Sequence, residues 1–194
     1  MHAWIAGLLL SGLFWFRTFV FFAATWAVIF ATSTVLGASA AFEYDDGYAW
    51  TSPVFAKAEA QGLPVGSPDY WNLVNRSDGP ERTKPVPWLA SWTLRLAGFR
   101  VELIAERGRE GSEALAARRI PPAAEIHFIT EGDRAALLRE KGYTLYFAVS
   151  DEQVALARQA DITPVRVLKN PKSRFTAAQT PGRYGETTLP LSRL

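Results

Sequence analysis

Three carboxylates lie within four residues near the start of the polar part of the chain. They are Glu43, Asp45 and Asp46, and they follow a short apolar segment that ends at Phe42. If that segment is a β-strand, the alternation of side chains places Glu43 and Asp45 on one face and Asp46 on the other. Neighbouring carboxylates repel each other, and proteins tolerate such pairs mainly where a metal ion or a proton is shared. The pattern predicts a reaction site at a strand end, and an acidic loop just outside a membrane is the alternative.

Short apolar strands alternate with helices through the rest of the chain. We expect strands at 99–105, 125–130, 143–149 and 164–168, and helices at 52–63, 87–97, 111–119, 134–141 and 151–159. This alternation is typical of a parallel sheet covered by helices on both faces. The helix at 87–97 places four large apolar side chains on one face: Trp88, Leu89, Trp92 and Leu96.

Composition limits the classes of function. The 194 residues suffice for one membrane segment and one domain of about 150 residues. A net charge of +2 is too small to indicate a nucleic-acid partner, although the chain from residue 158 onward is basic. That end is either a solvated surface or a contact for phosphate headgroups or an acidic partner. Because the chain has no cysteine and only two histidines, disulfides and thiolate metal sites are excluded and a histidine-built metal site is not expected.

Residues 3–41 are apolar apart from Arg17 and a few hydroxyl side chains. One helix of that length would measure about 58 Å, against about 30 Å for the hydrocarbon core of a bilayer. We therefore expect a membrane anchor at 1–37 with its span at about 14–34, and three arrangements stay open for residues 3–16: a longer helix, an interfacial segment, or packing on another membrane protein. Since Arg17 is the only cation nearby, the positive-inside rule places the N-terminus in the cytoplasm and a domain at 38–194 in the bacterial periplasm.

A cleaved secretory signal is the alternative to this anchor. Ala38-Ser39-Ala40 fits an A-x-A cleavage site after an apolar core. Cleavage after Ala40 would leave too few residues for a central first strand, which favours a retained anchor.

The segment 42–55 resembles the first motif of class B acid phosphatases, a periplasmic branch of the haloacid dehalogenase (HAD) superfamily. That motif reads Phe-Asp-x-Asp-Asp-Thr and continues to an aromatic residue and Ser-Ser-Pro-x-Phe; the matching residues are Phe42, Asp45, Asp46, Trp50, Ser52, Pro53 and Phe55. Segments 68–72 and 182–186 resemble the family's Pro-x-Phe-Trp and Gly-x-Phe-Gly-Glu. The resemblance covers roughly 42–190, and it implies a HAD-like three-layer parallel sheet with a small helical cap inserted at 53–92.

The resemblance also assigns site roles. The family's nucleophilic Asp is Glu43 here, its acid/base Asp is kept as Asp45, and its Thr is Gly47. Its phosphate-binding Thr-Gly-Arg falls on 105–107 and leaves Arg107, and its Lys falls on Arg134. The metal-binding motif falls on 148–153, where Val149 and Gln153 replace two Asp ligands and Asp151 is a possible remnant.

These departures predict that phosphoryl transfer by the family mechanism is lost. Glu43 is one methylene longer than Asp, and misplacement of a reacting atom by about 1 Å can cost about 100-fold in rate. Val149 cannot bind a hard cation, so no cofactor is expected, with Mg²⁺ as the alternative. The remaining charged residues are then predicted to form a buried salt-bridge network: Glu43, Asp45, Asp46, Arg107, Arg134 and Asp151.

Two functions follow from this interpretation. The first is a non-catalytic, membrane-anchored accessory subunit that binds other integral membrane proteins of a bacterial inner-membrane complex, with self-association also open. The second is a periplasmic HAD-type phosphatase or phosphate-ester binder with residual activity that uses Glu43, Asp45 and Arg107. Because the anchor enters the first strand at its amino end, the pocket is predicted to face away from the bilayer.

Overall fold

The computed structural model describes residues 2–193 except 78, 80, 119, 121 and 131, with side chains described from residue 11 onward. The helices are α1 (His2–Val35), α2 (Ser52–Ala60), α3 (Pro68–Arg76), α4 (Pro85–Leu96), α5 (Ser112–Ala117), α6 (Arg134–Lys141) and α7 (Asp151–Gln159). The strands are β1 (Ser39–Glu43), β2 (Ala49–Trp50), β3 (Arg82–Thr83), β4 (Arg100–Glu106), β5 (Glu125–Ile129), β6 (Leu145–Ala148), β7 (Thr163–Arg166) and β8 (Thr187–Thr188).

Six strands form one parallel sheet in the order β5-β4-β1-β6-β7-β8. β1 lies between β4 and β6, with Phe42 in register with Leu103 on one side and Phe147 on the other. The rings of Phe42 and Phe147 stack with their centroids 3.9 Å apart. Because β1 is buried on both faces, it reads as a continuous apolar run rather than an alternating one.

Helices cover both faces of the sheet. α4 and α5 pack on the face that carries Phe42 and Leu103, whereas α6 and α7 pack on the face that carries Ile104 and Tyr146. This arrangement confirms the predicted α/β class, a three-layer parallel sheet preceded by an apolar helix. The predicted helices 134–141 and 151–159 match α6 and α7 residue for residue. Arg119, the last residue of the helix predicted at 111–119, lies outside the described residues.

The segment between β1 and β4 contains a small unit of its own. α2 and α3 pack on each other through Val54, Ala58, Tyr70 and Val74, and they lie between β2 and β3 in the chain, two short strands that pair antiparallel. The predicted cap at 53–92 covers this unit and also most of α4, whose inner face packs on the sheet. Within this segment, the helices that stand apart from the sheet are therefore α2 and α3.

α1 is one continuous helix of 34 residues, about 51 Å long. Of the three arrangements open for residues 3–16, the structure has the longer helix. Within α1, Ser11–Val35 is long and apolar enough to cross a membrane. β1 begins at Ser39, so cleavage after Ala40 would remove two of the five residues of the central strand.

The expectation that Glu43 and Asp45 share one strand face is wrong. β1 ends at Glu43, and the chain then turns so tightly that the N–H of Tyr48 donates to the carbonyl oxygen of Glu43 at 2.7 Å. Asp46 adopts a left-handed backbone with φ of 54°. Strand alternation therefore stops two residues before Asp45, and the two acids have different partners.

Candidate functional site

The carboxyl edge of the sheet carries the predicted site residues. Glu43 is the last residue of β1, Arg107 directly follows β4, Arg134 begins α6 after β5, and Asp151 begins α7 after β6. Parallel strands bring their carboxyl ends to one edge, which is where α/β proteins hold ligands. α1 enters β1 from the opposite edge, at Ser39.

Glu43 is buried, and both of its carboxylate oxygens are bound by side chains of the same protein. Arg134 holds it with two bonds, Nε to Oε1 at 2.9 Å and Nη2 to Oε2 at 3.2 Å. The hydroxyl of Tyr146 donates to the same Oε1 in a very short contact. Arg134 also reaches Glu106 at 2.8 Å, so one guanidinium serves two carboxylates. Burial raises the pKa of Glu43 above its usual range although Arg134 and Tyr146 oppose the shift.

Asp45 belongs to a second cluster, centred on Arg107. The Arg107 side chain is fully buried, and its Nη2 lies 2.6 Å from Asp45 Oδ1 and 2.7 Å from Glu81 Oε1. Glu81 is also bound by Arg118 at 2.8 Å and accepts the Tyr44 hydroxyl at 2.8 Å. The ring of Tyr44 lies 5.0 Å from the Arg107 guanidinium carbon, within the range of a cation–π contact.

The carboxylate of Asp46 is held by hydroxyl and backbone N–H donors rather than by a cation. Its carboxylate accepts the backbone N–H of Thr51 at 3.4 Å and the hydroxyls of Ser52 and Ser173. Its carbonyl oxygen accepts the ammonium of Lys84 at 3.0 Å, and the same ammonium donates to the carbonyl of Leu168 at 2.6 Å. Lys84 is buried, and burial lowers its pKa to about 8.

Gly47 stands where the resemblance expects Thr, and the local backbone explains why. A Cβ at this position would lie 2.3 Å from the carbonyl oxygen of Glu43. Any side chain there would force the turn apart, so the family's hydroxyl has no place in this backbone.

Asp151 is part of a third cluster that does not include Glu43 or Asp45. Arg166 is fully buried and lies 2.9 Å from both Asp151 and Glu186. Burial alone would raise the pKa of Asp151, but hydrogen bonds from Thr180 and Arg183 and the positive charge of Arg166 outweigh it and hold the pKa below its usual range.

Gln153, which replaces one of the family's Asp ligands, has a structural role. Gln153 Oε1 accepts the backbone N–H groups of Val149 at 2.8 Å and Ser150 at 2.9 Å, which caps the start of α7.

The predicted charged residues are thus partnered inside the protein, in separate clusters rather than in one network. Sequence reasoning missed the residues that complete them: Glu81, Lys84, Tyr146, Arg166 and Glu186. Each pairs with a residue at least 20 positions away along the chain. Of these residues, only Glu186 lay in a segment that the sequence had singled out, because it is the last residue of the Gly-Arg-Tyr-Gly-Glu segment that resembles the family motif.

Two shallow cavities flank the Arg107 cluster. One, of about 240 Å³, is lined by residues that include Asp45, Asp46, Phe55 and Arg174. The other, of about 330 Å³, lies beside Trp71, Glu106 and Arg107.

Within the described part of the chain, three ligand atoms come close enough for a metal ion only at Glu102, Glu125 and His127, near the opposite edge of the sheet. Arg100 already lies 2.6 Å from Glu102 there, and the Tyr143 hydroxyl donates to Glu102 at 2.7 Å. A cation would have to displace these donors.

Comparisons with known proteins find similarity to solved structures but not to family models or curated sequences. No family model matches the chain, and no curated protein matches it. Among solved structures, it is similar to a HAD-superfamily hydrolase from Ehrlichia chaffeensis, with 12% sequence identity and a TM-score of 0.44. The match covers 66% of this chain and 86% of that one.

Proposed function

We propose that this chain is a catalytically inactive, acid-phosphatase-like protein of the HAD type that serves as an accessory subunit of a bacterial inner-membrane complex. α1 would anchor it, with the domain in the periplasm. One observation carries the proposal: Arg107 and Arg134, the two cations that the resemblance assigns to phosphate, are both bound by carboxylates of the chain itself.

The charge balance around these arginines opposes an anionic substrate. The two clusters contain four carboxylates and only three guanidinium groups. The carboxylates are those of Glu43, Asp45, Glu81 and Glu106, and the guanidinium groups are those of Arg107, Arg118 and Arg134. An incoming phosphate would have to separate a buried ion pair to gain one cation. Removing one partner from such a pair costs about 3–5 kcal/mol, which the phosphate would have to offset before any chemistry.

The geometry at Glu43 also opposes nucleophilic attack. An attacking carboxylate needs a free oxygen in line with phosphorus. Both oxygens of Glu43 are bound, the residue is 2% exposed, and the pKa of its carboxyl is raised by burial. No Mg²⁺ is part of this proposal, since Val149 and Gln153 stand where the resemblance places metal ligands.

The charged groups of the pocket are paired within the chain, so we propose that the function depends on the domain surface and the membrane anchor. The partners we propose are other integral membrane proteins, with self-association as the second possibility. No nucleic-acid partner is proposed.

Hydrolysis of an aryl phosphate by the detergent-solubilised full chain, with Mg²⁺ added, tests the inactivity. We expect no release above buffer for the wild type or for Glu43→Gln. The matched control is Glu140→Gln, an exposed Glu-to-Gln change on α6. Turnover that Glu43→Gln abolishes and Glu140→Gln keeps would establish the phosphatase alternative.

Purification of a tagged full chain from membranes in mild detergent tests the partner. We expect other membrane proteins in constant ratio to the tagged chain across several detergents, and none with an unrelated single-pass protein that carries the same tag. A chain that always migrates alone would contradict the accessory role.

A further inference from the structure

α4 presents its apolar face outward. Its inner face carries Ser91, whose hydroxyl is buried and donates to the carbonyl of Trp88 at 2.6 Å. Its outer face carries Trp88, Leu89 and Leu96, whose exposed fractions are 42%, 60% and 59%, and Trp92 beside them is partly buried. A surface helix of a water-soluble domain has the reverse arrangement, with charged residues outside.

The outer face of α4 also lacks acidic residues. No Asp or Glu occurs between Glu81 and Glu102, and Arg95 is the only charged residue in the helix. The polar group of Thr93 is satisfied within the helix, because its hydroxyl donates to the carbonyl of Leu89 at 2.9 Å. α6 and α7, on the other face of the sheet, carry charges of both signs.

α1 fixes the level at which α4 meets it. The indole N–H of Trp26 donates to the carbonyl of Leu96 at 2.9 Å. Gly98 packs so closely on α1 that a Cβ there would lie 2.6 Å from the carbonyl oxygen of Phe30. These contacts fall five to nine residues before the end of α1 at Val35, which is about 8–14 Å along its axis. The end of α4 is therefore held beside the apolar part of α1 rather than beyond it.

We infer that the outer face of α4 lies in the lipid interface of the same bilayer that α1 crosses, so that the two helices form one membrane-contact surface. The inference rests on the proposed anchoring by α1 and not on the proposed loss of catalysis. An interfacial helix lies about 5–10 Å into the headgroup and acyl boundary, with aromatic and aliphatic side chains toward the lipid. Trp88 is the residue type that is enriched at this level, and Arg95 can extend its charge toward the headgroups.

The same contact shifts the expected span of α1. If Leu96 lies at the outer boundary of the bilayer, the hydrocarbon core ends about one helical turn after Trp26. Counting back about 20 residues for about 30 Å gives a span near 10–30 instead of 14–34. Arg17 then lies about two turns from the inner boundary, where snorkelling and local thinning accommodate a cation.

Because the chain has no cysteine, a single introduced cysteine can be labelled specifically. Full-length Leu89→Cys and Leu96→Cys would be labelled with an environment-sensitive fluorophore and placed one copy per disc in phosphatidylcholine–phosphatidylglycerol nanodiscs. Phe22→Cys reports on the span of α1, and Arg139→Cys, exposed on α6, reports on water. Emission, quenching by aqueous iodide and quenching by doxyl-labelled lipid would be measured for all four.

We expect both α4 labels to emit at shorter wavelength than the Arg139→Cys label, to be quenched several-fold less by iodide, and to be quenched by doxyl lipid. Labels on α4 that behave like Arg139→Cys, while Phe22→Cys is quenched by lipid, would overturn the inference and leave the anchor intact. Shielding from iodide without quenching by lipid would also overturn it, since it indicates a protein on this face. A Phe22→Cys label quenched only by iodide would refute the anchor itself.

Discussion

The carboxyl edge of the sheet and the surface formed by α1 and α4 differ in where their side chains find partners. At the edge, the charged groups of Arg107, Arg134 and Arg166 are buried and each binds two carboxylates of the same chain. On the α1–α4 surface, large apolar side chains are exposed, and within the described residues little of the protein covers them.

This difference suggests that the carboxyl edge stabilises the fold and that the α1–α4 surface binds something outside the chain. A buried charge without its partner is costly, so the ion pairs at the edge are constrained by the fold even if no ligand binds. An exposed Trp or Leu contributes little to folding, so a contiguous set of them indicates a contact outside the chain. If this distinction holds, substitutions at the carboxyl edge destabilise the fold and substitutions on the α1–α4 surface do not.

The largest expected effect is on removal of Arg107. Arg107→Met leaves Asp45 and Glu81 close together with one cation fewer, and we expect the free energy of unfolding to fall by about 3–5 kcal/mol. Urea unfolding of the full chain in detergent, followed by tryptophan fluorescence, measures it.

Arg109→Met is the matched control, since Arg109 is two residues away and exposed. We expect a change within about 0.5 kcal/mol for it. Equal effects of the two variants would mean that the Arg107 ion pairs do not stabilise the fold, and the edge would then resemble a ligand site.

The turn after β1 gives the next effect. Gly47→Ala places a methyl group against the carbonyl oxygen of Glu43, and overpacking of this kind costs about 1–3 kcal/mol. Gly79→Ala is the control, because nothing lies within 4 Å of a Cβ there. If Gly47→Ala unfolds at the same urea concentration as the wild type, the backbone did not exclude the Thr that the resemblance expects.

Lys84 predicts a pH dependence. Burial lowers its pKa to about 8 from 10.5, so between these values the unfolded chain binds more protons than the folded one, and stability rises with pH. From pH 8 to 9.5 the gain is on the order of 1–2 kcal/mol, below the range in which tyrosines ionise. Lys84→Met should remove this rise, and urea midpoints across the range measure it. An identical slope in both proteins would contradict the assignment to Lys84.

Sequence reasoning reached the architecture because local patterns determine it. The short apolar runs and their flanking helices predicted the parallel sheet, and α6 and α7 were placed to the residue. The antiparallel pair of β2 and β3 and the last strand β8 were missed, since two-residue strands carry no periodicity. Their formation depends on pairing partners that are distant along the chain.

The site was predicted only in part, for a related reason. The charged residues could be named from the segment around Glu43, but their pairing could not. β1 ends at Glu43, and the turn that follows separates Glu43 from Asp45. Tyr146 lies 103 residues from its partner Glu43, and Glu81 lies 26 residues from its partner Arg107. The apolar stripe of α4 was found from its spacing, but the spacing alone does not tell which face of the helix meets the sheet.

The smallest expected effect is on the outer face of α4. Leu89→Ala should change the free energy of unfolding in detergent by less than about 0.5 kcal/mol, because Leu89 packs on little of the protein. Leu94→Ala, on the inner face of the same helix, removes packing against the core of the sheet and should cost about 2 kcal/mol. Both substitutions replace Leu by Ala in one helix, so differences in helix propensity cancel. A large cost at Leu89 would show that this face is stabilised from within the chain, and the division between a partnered edge and an unpartnered surface would then fail.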